Sequence, residues 1–108
     1  MRAETAVVPR IALGAEQLRI VRDIVARVLP AARVSVFDSR ATGRARPFSD
    51  LDLLVREPAS LSWAQRADLR DAFEASALPF RVDIVVLDDL TPVMAARAVG
   101  EAIDLASA

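Results

Sequence analysis

The stretch that decides the fold runs from Phe37 to Val55 and reads FDSRATGRARPFSDLDLLV. Its second half alternates acidic and aliphatic residues, as expected for a β-strand with two different faces. Asp50 and Asp52 share one face, and the aliphatic residues between and after them lie on the other. One face is therefore predicted to pack in a core, while the other presents two carboxylates that point the same way.

A second hydrophobic segment, residues 81–87, supplies a third acid. It reads RVDIVVL, so a strand here places the aliphatic residues Val82, Ile84 and Val86 on one side and Asp83 on the other. Hard divalent cations such as Mg²⁺ take oxygen ligands, and converging carboxylates are a common way to supply them. The sequence therefore predicts a metal site made of Asp50, Asp52 and Asp83.

The spacing of these residues resembles that of a known family. Ser39 is followed by ten residues, Arg40 to Ser49, and then by Asp-Leu-Asp. A Ser, ten residues and Asp-x-Asp form the signature of the DNA polymerase β-like nucleotidyltransferases, and the surrounding sequence resembles the minimal nucleotidyltransferases of bacteria. The resemblance covers nearly the whole chain and rests on residues in register with that family: Phe37, Ser39, Arg40, Ala41, Gly43, Ala45, Arg46, Ser49, Asp50, Asp52 and Leu53.

The resemblance implies an α/β (α+β) domain with a small mixed sheet and helices packed mainly on one face. It implies a nucleotidyltransferase with ATP as substrate, in which the catalytic residues Asp50, Asp52 and Asp83 hold two Mg²⁺ ions. The similar proteins are antitoxins of HEPN-type ribonuclease toxins, and some transfer an adenylyl group from ATP to a tyrosine of the toxin. By resemblance we expect this activity and a hetero-oligomer with such a toxin. Transfer to a small molecule such as an aminoglycoside fits less well, because those enzymes usually carry an additional acceptor domain.

Three further residues are predicted to bind the nucleotide: Ser39, Arg40 and Arg46. Ser39 lies where a helical turn would offer its hydroxyl and backbone amide to a phosphate, and an ordinary helix N-cap is the alternative role. Arg40 and Arg46 either neutralise phosphate or brace the loop through a bidentate pair with a carboxylate.

Asp38 departs from the family pattern, which has Gly at this position. Gly permits a positive φ and a close approach of phosphate oxygens. Asp tolerates left-handed geometry better than most residues, so we expect Asp38→Gly to change the stability of the turn little. A carboxylate ~4 Å from a phosphate charge costs about 1 kcal/mol in water and about 4 kcal/mol at an effective dielectric constant of 20.

This charge predicts weakened nucleotide binding, unless Asp38 turns away or recruits a cation. It therefore supports an alternative function from a different class. In that alternative the chain is a catalytically impaired antitoxin that neutralises its toxin by binding and occlusion.

The composition indicates one small domain spanning residues 1–108. A chain of 108 residues supports a single core, so we expect a partner or a second copy to complete the site. Hydrophobic residues make up 54% and the formal net charge is -1, which argues against a disordered chain and against direct nucleic-acid binding. No segment approaches the ~20 apolar residues of a membrane span and no secretory signal is evident, so we expect a cytoplasmic protein.

Periodicity and capping patterns outline the remaining elements. After an N-terminal arm of residues 1–14, the pattern predicts a helix over residues 15–29 and strands at 33–37 and 81–87. Ser62 and Gln65 form a capping-box pattern that predicts a helix ending before Pro79. Thr91 and Pro92 predict the start of another helix, while residues 99–108 fit either a strand or a helix.

Overall fold

The computed structural model describes residues 11–107. In chain order the helices are α1 (Ala15–Val28), α2 (Ser39–Thr42), α3 (Trp63–Glu74) and α4 (Pro92–Glu101). The strands are β1 (Arg33–Phe37), β2 (Leu51–Glu57), β3 (Val82–Val86) and β4 (Ile103–Asp104). Short 3₁₀ turns at Leu87–Asp89 and Leu105–Ser107 follow β3 and β4.

The helix starts follow local capping chemistry. The Gln65 N–H donates to Ser62 Oγ at 3.1 Å and the Ser62 N–H donates to Gln65 Oε1 at 2.9 Å, which confirms the predicted capping box of α3. Thr91 Oγ accepts the Met94 N–H at 3.2 Å at the start of α4, as predicted. The tail is divided between the two predicted alternatives, because α4 runs to residue 101 and a two-residue strand follows it.

The four strands form one mixed sheet in the order β3-β2-β1-β4. β2 and β3 are parallel, and β1 runs antiparallel to both β2 and β4. The inward residues Leu51, Leu53 and Val55 are almost fully buried and pack in one core with residues of α1 and α3. This alternation explains why β2 forms a strand with two different faces.

α4 lies on the other face of the sheet, beside Phe37 at the end of β1. Ala98 of α4 is buried, and Phe37, Leu90 and Met94 line the same pocket with it. The architecture confirms the predicted mixed sheet with helices mainly on one face.

The described part of the predicted N-terminal arm packs against the domain. Ile11 is buried in the core, and the Ala12 N–H donates to the Arg40 carbonyl at 2.8 Å. Residues 1–10 of that arm lie outside the described residues. No helix in residues 11–107 is long and apolar enough to cross a membrane.

Candidate active site

The predicted acids come from adjacent parallel strands. Asp52 of β2 is paired in register with Asp83 of β3, so the two side chains lie on the same face of the sheet. Asp50 lies just before β2, and its Oδ2 is 3.3 Å from Arg81 Nη2. The Leu51 N–H donates to the Arg81 carbonyl at 2.8 Å, which joins the two segments at this end. Three carboxylates therefore come from the end of the sheet at which the parallel strands β2 and β3 begin.

Asp52 lies at the electrostatic centre of this group. Its pKa is raised from 3.8 to about 6, first by burial and then by the negative charges of Asp38, Asp83 and Asp50, while Arg40 opposes them. Asp38 directly follows Phe37, which is paired with Asp52, so its carboxylate is near enough to act on the pKa of Asp52. The site therefore has an excess of negative charge on one face.

The chemistry of these donors fits Mg²⁺, because all of them are carboxylate oxygens and their mutual repulsion would be relieved by a divalent cation. Their arrangement is open, since no group of three acidic side chains within residues 11–107 is close enough to form a complete metal cluster. Metal binding by Asp50, Asp52 and Asp83 stays a prediction.

Asp38 has a backbone conformation that was not anticipated. Its φ is 61° and its ψ is -142°, which lies outside the left-handed helical region that Asp tolerates and close to a region used almost only by Gly. The expectation that Asp38 adopts left-handed helical geometry is therefore wrong, because its ψ differs from the left-handed helical value. We call residues 37–39 the Asp38 turn.

Side chains on both sides hold the Asp38 turn. The Asp38 N–H donates to Glu101 Oε1 at 3.3 Å, and Asp38 Oδ1 is 3.4 Å from Arg44 Nη2. Ser39 is the first residue of α2, and Asp38 occupies the N-cap position without a side-chain capping bond. The alternative role of Ser39 as an N-cap is therefore wrong.

Arg40 is buried, with 4% of its surface exposed. Its guanidinium donates to the carbonyl oxygens of Ala12 and Ser49, at 2.7 Å each, and to that of Pro47 at 3.2 Å. It also lies 4.1 Å from the centre of the Phe80 ring. The contacts support the loop-bracing role, although the acceptors are carbonyls and not the expected carboxylate. Nucleotide binding by Arg40 stays a prediction.

Arg46 differs from Arg40 in its surroundings. Its backbone N–H donates to Ser49 Oγ at 2.8 Å, which closes the loop before β2. Its guanidinium is exposed and forms no ion pair with any residue in the described range. An exposed arginine is available to a phosphate, and this role of Arg46 also stays a prediction.

Sequence reasoning did not identify Arg81, Arg44 or Glu101 as neighbours of the site. Arg81 was predictable in principle. It directly precedes β3 and Asp50 directly precedes β2, so parallel pairing of the two strands places these two residues side by side. Glu101 carried no such signal, because its contact with the Asp38 turn depends on how α4 packs.

The sequence matches one family model over most of its length. The nucleotidyltransferase domain model covers residues 18–105. A relative from Haemophilus influenzae, named Probable protein adenylyltransferase MntA, is 38% identical over 73 residues. The alignment spans 68% of this chain and 64% of that relative, which is less than two thirds of the relative's length.

Two solved structures share the fold. A candidate minimal nucleotidyltransferase is 38% identical, with a TM-score of 0.65 over 82% of this chain and 88% of the other. A toxin–antitoxin crystal structure with AMP-PNP contains a chain that is 25% identical, with a TM-score of 0.66 over 82% of this chain and 71% of the other.

Proposed function

Because the chain belongs to the nucleotidyltransferase domain family, we propose that it is a minimal nucleotidyltransferase that acts as an antitoxin. It transfers an adenylyl group from ATP to a tyrosine of a HEPN-type ribonuclease toxin, with which it forms a hetero-oligomer. The observation that carries this proposal is the in-register pair Asp52 and Asp83, which lies beside Asp50 and faces the Asp38 turn.

In this proposal the three acids bind the metal, and Ser39 and Arg46 bind the phosphates. Asp50, Asp52 and Asp83 would hold Mg²⁺, which would supply positive charge to polarise the acceptor hydroxyl and to neutralise the leaving pyrophosphate. Ser39 donates its hydroxyl and backbone amide to a phosphate, and Arg46 contributes positive charge. The tyrosine oxygen attacks the α-phosphorus of ATP, the bond from that phosphorus to the bridging oxygen breaks so that pyrophosphate leaves, and the tyrosine proton passes to solvent water.

The acceptor must belong to another chain. This sequence contains no Tyr, so tyrosine transfer cannot take place within it. An open groove of about 600 Å³ adjoins Asp83, with Phe73, Phe80, Arg70 and Arg81 among its lining residues. Its aromatic residues and arginines, with Glu74 and Asp83 also in the lining, suit an aromatic side chain or a nucleotide. The AMP-PNP in a related toxin–antitoxin structure supports a nucleotide substrate for this fold.

A second candidate function is favoured by Asp38. Its carboxylate faces Asp52 and its backbone is strained where Gly would not be. The negative charge acts against a bound triphosphate, so the chain would neutralise its toxin by binding and occlusion without turnover. The two functions share the partner and differ in whether chemistry takes place.

Incubation of the chain and its toxin with α-labelled ATP and Mg²⁺ tests the proposal. We expect label on the toxin and none on this chain, with loss of labelling in Asp52→Asn. The control is Asp71→Asn, which removes an exposed acid of α3 away from the site and should label normally. Label confined to this chain would contradict tyrosine transfer. Absent labelling, with full neutralisation by Asp52→Asn, would favour occlusion.

A further inference from the structure

A carboxylate of the chain itself already contacts the turn that would receive the nucleotide phosphates. Glu101 Oε1 accepts the backbone N–H of Asp38 at 3.3 Å. Glu101 is the last residue of α4, and 22% of its side chain is exposed. A carboxylate oxygen accepts hydrogen bonds as a phosphate oxygen does, so Glu101 takes the place of an anion at this amide.

The hydrogen bond between the Asp38 N–H and Glu101 is weak enough to be broken by a competing anion. A donor–acceptor distance of 3.3 Å is long for an N–H···O bond, so the bond is weak. Glu101 Oε2 also lies 3.3 Å from Arg97 Nε, one helical turn earlier on α4, and the Arg97 side chain is 70% exposed. A pocket of about 150 Å³, lined by Phe37, Asp38, Arg97 and Glu101 among others, adjoins this pair. The Glu101 side chain therefore has both space and a second partner when it leaves the turn.

We propose that Glu101 gates the Asp38 turn by competing with the phosphates of the nucleotide for the Asp38 amide. The inference rests on the proposed function and adds a regulatory contact between α4 and the same site. A triphosphate binds when its oxygens replace the Glu101 carboxylate, which then stays paired with Arg97. Glu101 therefore changes the affinity for the nucleotide, whereas the acids on β2 and β3 serve the transfer reaction.

Calorimetric titration of MgATP into four proteins tests the gate: the unmodified chain, Glu101→Ala, Glu101→Gln and Glu57→Gln. Glu57 is an exposed acid at the far end of β2 from Asp52, so its variant removes the same charge away from the turn. We expect Glu101→Ala to bind about fivefold more tightly, the effect of one charge ~4 Å away in water. Glu101→Gln should gain less, because its amide oxygen can still accept the Asp38 N–H. Glu57→Gln should bind as the unmodified chain does.

A second measurement tests for the contact between Glu101 and the Asp38 amide in the absence of nucleotide. The NMR amide resonance of Asp38 should shift in Glu101→Ala and stay in place in Glu57→Gln. An unshifted Asp38 resonance in a folded Glu101→Ala protein would overturn the inference.

The outcomes separate the gate from the proposed function. Equal MgATP affinity in all four proteins would overturn the gate alone, and weaker binding by Glu101→Ala would identify Glu101 as a structural support. Absence of MgATP binding in every protein would overturn the proposed transferase and the gate together.

Discussion

Asp38 combines two separate costs in one residue. Its φ of 61° and ψ of -142° place a side chain where the backbone favours Gly, which costs about 1 to 3 kcal/mol. Burial is the main cause of the raised pKa of Asp52, and the Asp38 carboxylate is the next largest. Asp38 therefore adds negative charge to the acidic face. The first cost concerns folding and the second concerns binding of anions.

Variants of Asp38 should separate these costs. We expect Asp38→Gly to raise the free energy of unfolding by about 1 to 3 kcal/mol through relief of the strained backbone. It should tighten MgATP binding by about 1 to 3 kcal/mol through removal of the charge. Asp38→Asn should recover part of the binding and none of the stability, because it keeps a side chain at the same φ and ψ. Chemical unfolding and calorimetry of the three proteins measure both effects. A Gly variant no more stable than the Asn variant would contradict the strain.

At the scale of elements, Arg40 organises the loop between α2 and β2. Its guanidinium donates to the carbonyls of Pro47 and Ser49 within that loop and to the carbonyl of Ala12 before α1. Such bonds from a buried charge are stronger than average, and loss of the donor leaves carbonyls without partners. The loop that leads into Asp50 and Asp52 is therefore fixed by hydrogen bonds from the buried Arg40 side chain.

Arg40→Met should therefore lower the free energy of unfolding by about 2 to 4 kcal/mol. The matched control is Arg46→Met in the same loop, which should stay within about 0.5 kcal/mol of the unmodified chain because its guanidinium is exposed. Urea unfolding of the three proteins gives the comparison. Equal destabilisation by both variants would argue against the brace.

Asp104 of the short strand β4 contacts side chains of β1 and β2. Asp104 accepts a hydrogen bond from Ser35 Oγ of β1, and it pairs with Arg33 Nη2 at 3.1 Å and with Arg56 Nη1 at 3.4 Å. The hydrogen bond from Ser35 is the main cause of its lowered pKa, and the two arginines contribute. The folded state therefore favours the ionised form of Asp104.

The lowered pKa of Asp104 makes the stability of the folded state depend on pH. A pKa lowered by folding gives stability that is present above the unfolded pKa of about 4 and is lost as the pH falls through the folded value. We expect Asp104→Asn to be less stable than the unmodified chain at neutral pH, with the difference shrinking below about pH 4. Thermal unfolding across this range measures it, and a constant difference at all pH values would refute the assignment.

At the scale of the whole molecule, much of the fold was predictable from periodicity. The alternation around Asp52, the capping box at Ser62 and the hydrophobic segment around Asp83 each depend on neighbours in sequence, and the structure confirms the elements that they predicted. β4 was not predictable, because two residues show no period and become a strand only by pairing with β1. The carbonyl contacts of Arg40 and the position of Glu101 depend on packing, which no local pattern encodes.

The acidic face makes the whole domain less stable when it carries no cation. The pKa of Asp52 is raised by folding from 3.8 to about 6, so the folded state holds its proton more tightly than the unfolded state does. Stability is therefore lost as the pH rises from about 4 to about 6, and the cost persists above that range.

Asp52→Asn should consequently be more stable than the unmodified chain at about pH 8 in a chelator, and the two should converge below about pH 4. Thermal unfolding with Asp71→Asn as the control measures this. A less stable Asp52→Asn protein at high pH would show that the acids support the fold.

The strained turn also has a genetic consequence. Aspartate and glycine codons differ only at the second base, so a single A-to-G transition replaces Asp38 with Gly. That one mutation would remove the backbone strain and the charge facing Asp52 together. Under the proposed antitoxin function, random mutagenesis followed by growth under a raised dose of the partner toxin should enrich this transition if protection depends on turnover. If protection depends on occlusion alone, surviving clones should gain the transition no more often than neighbouring silent changes.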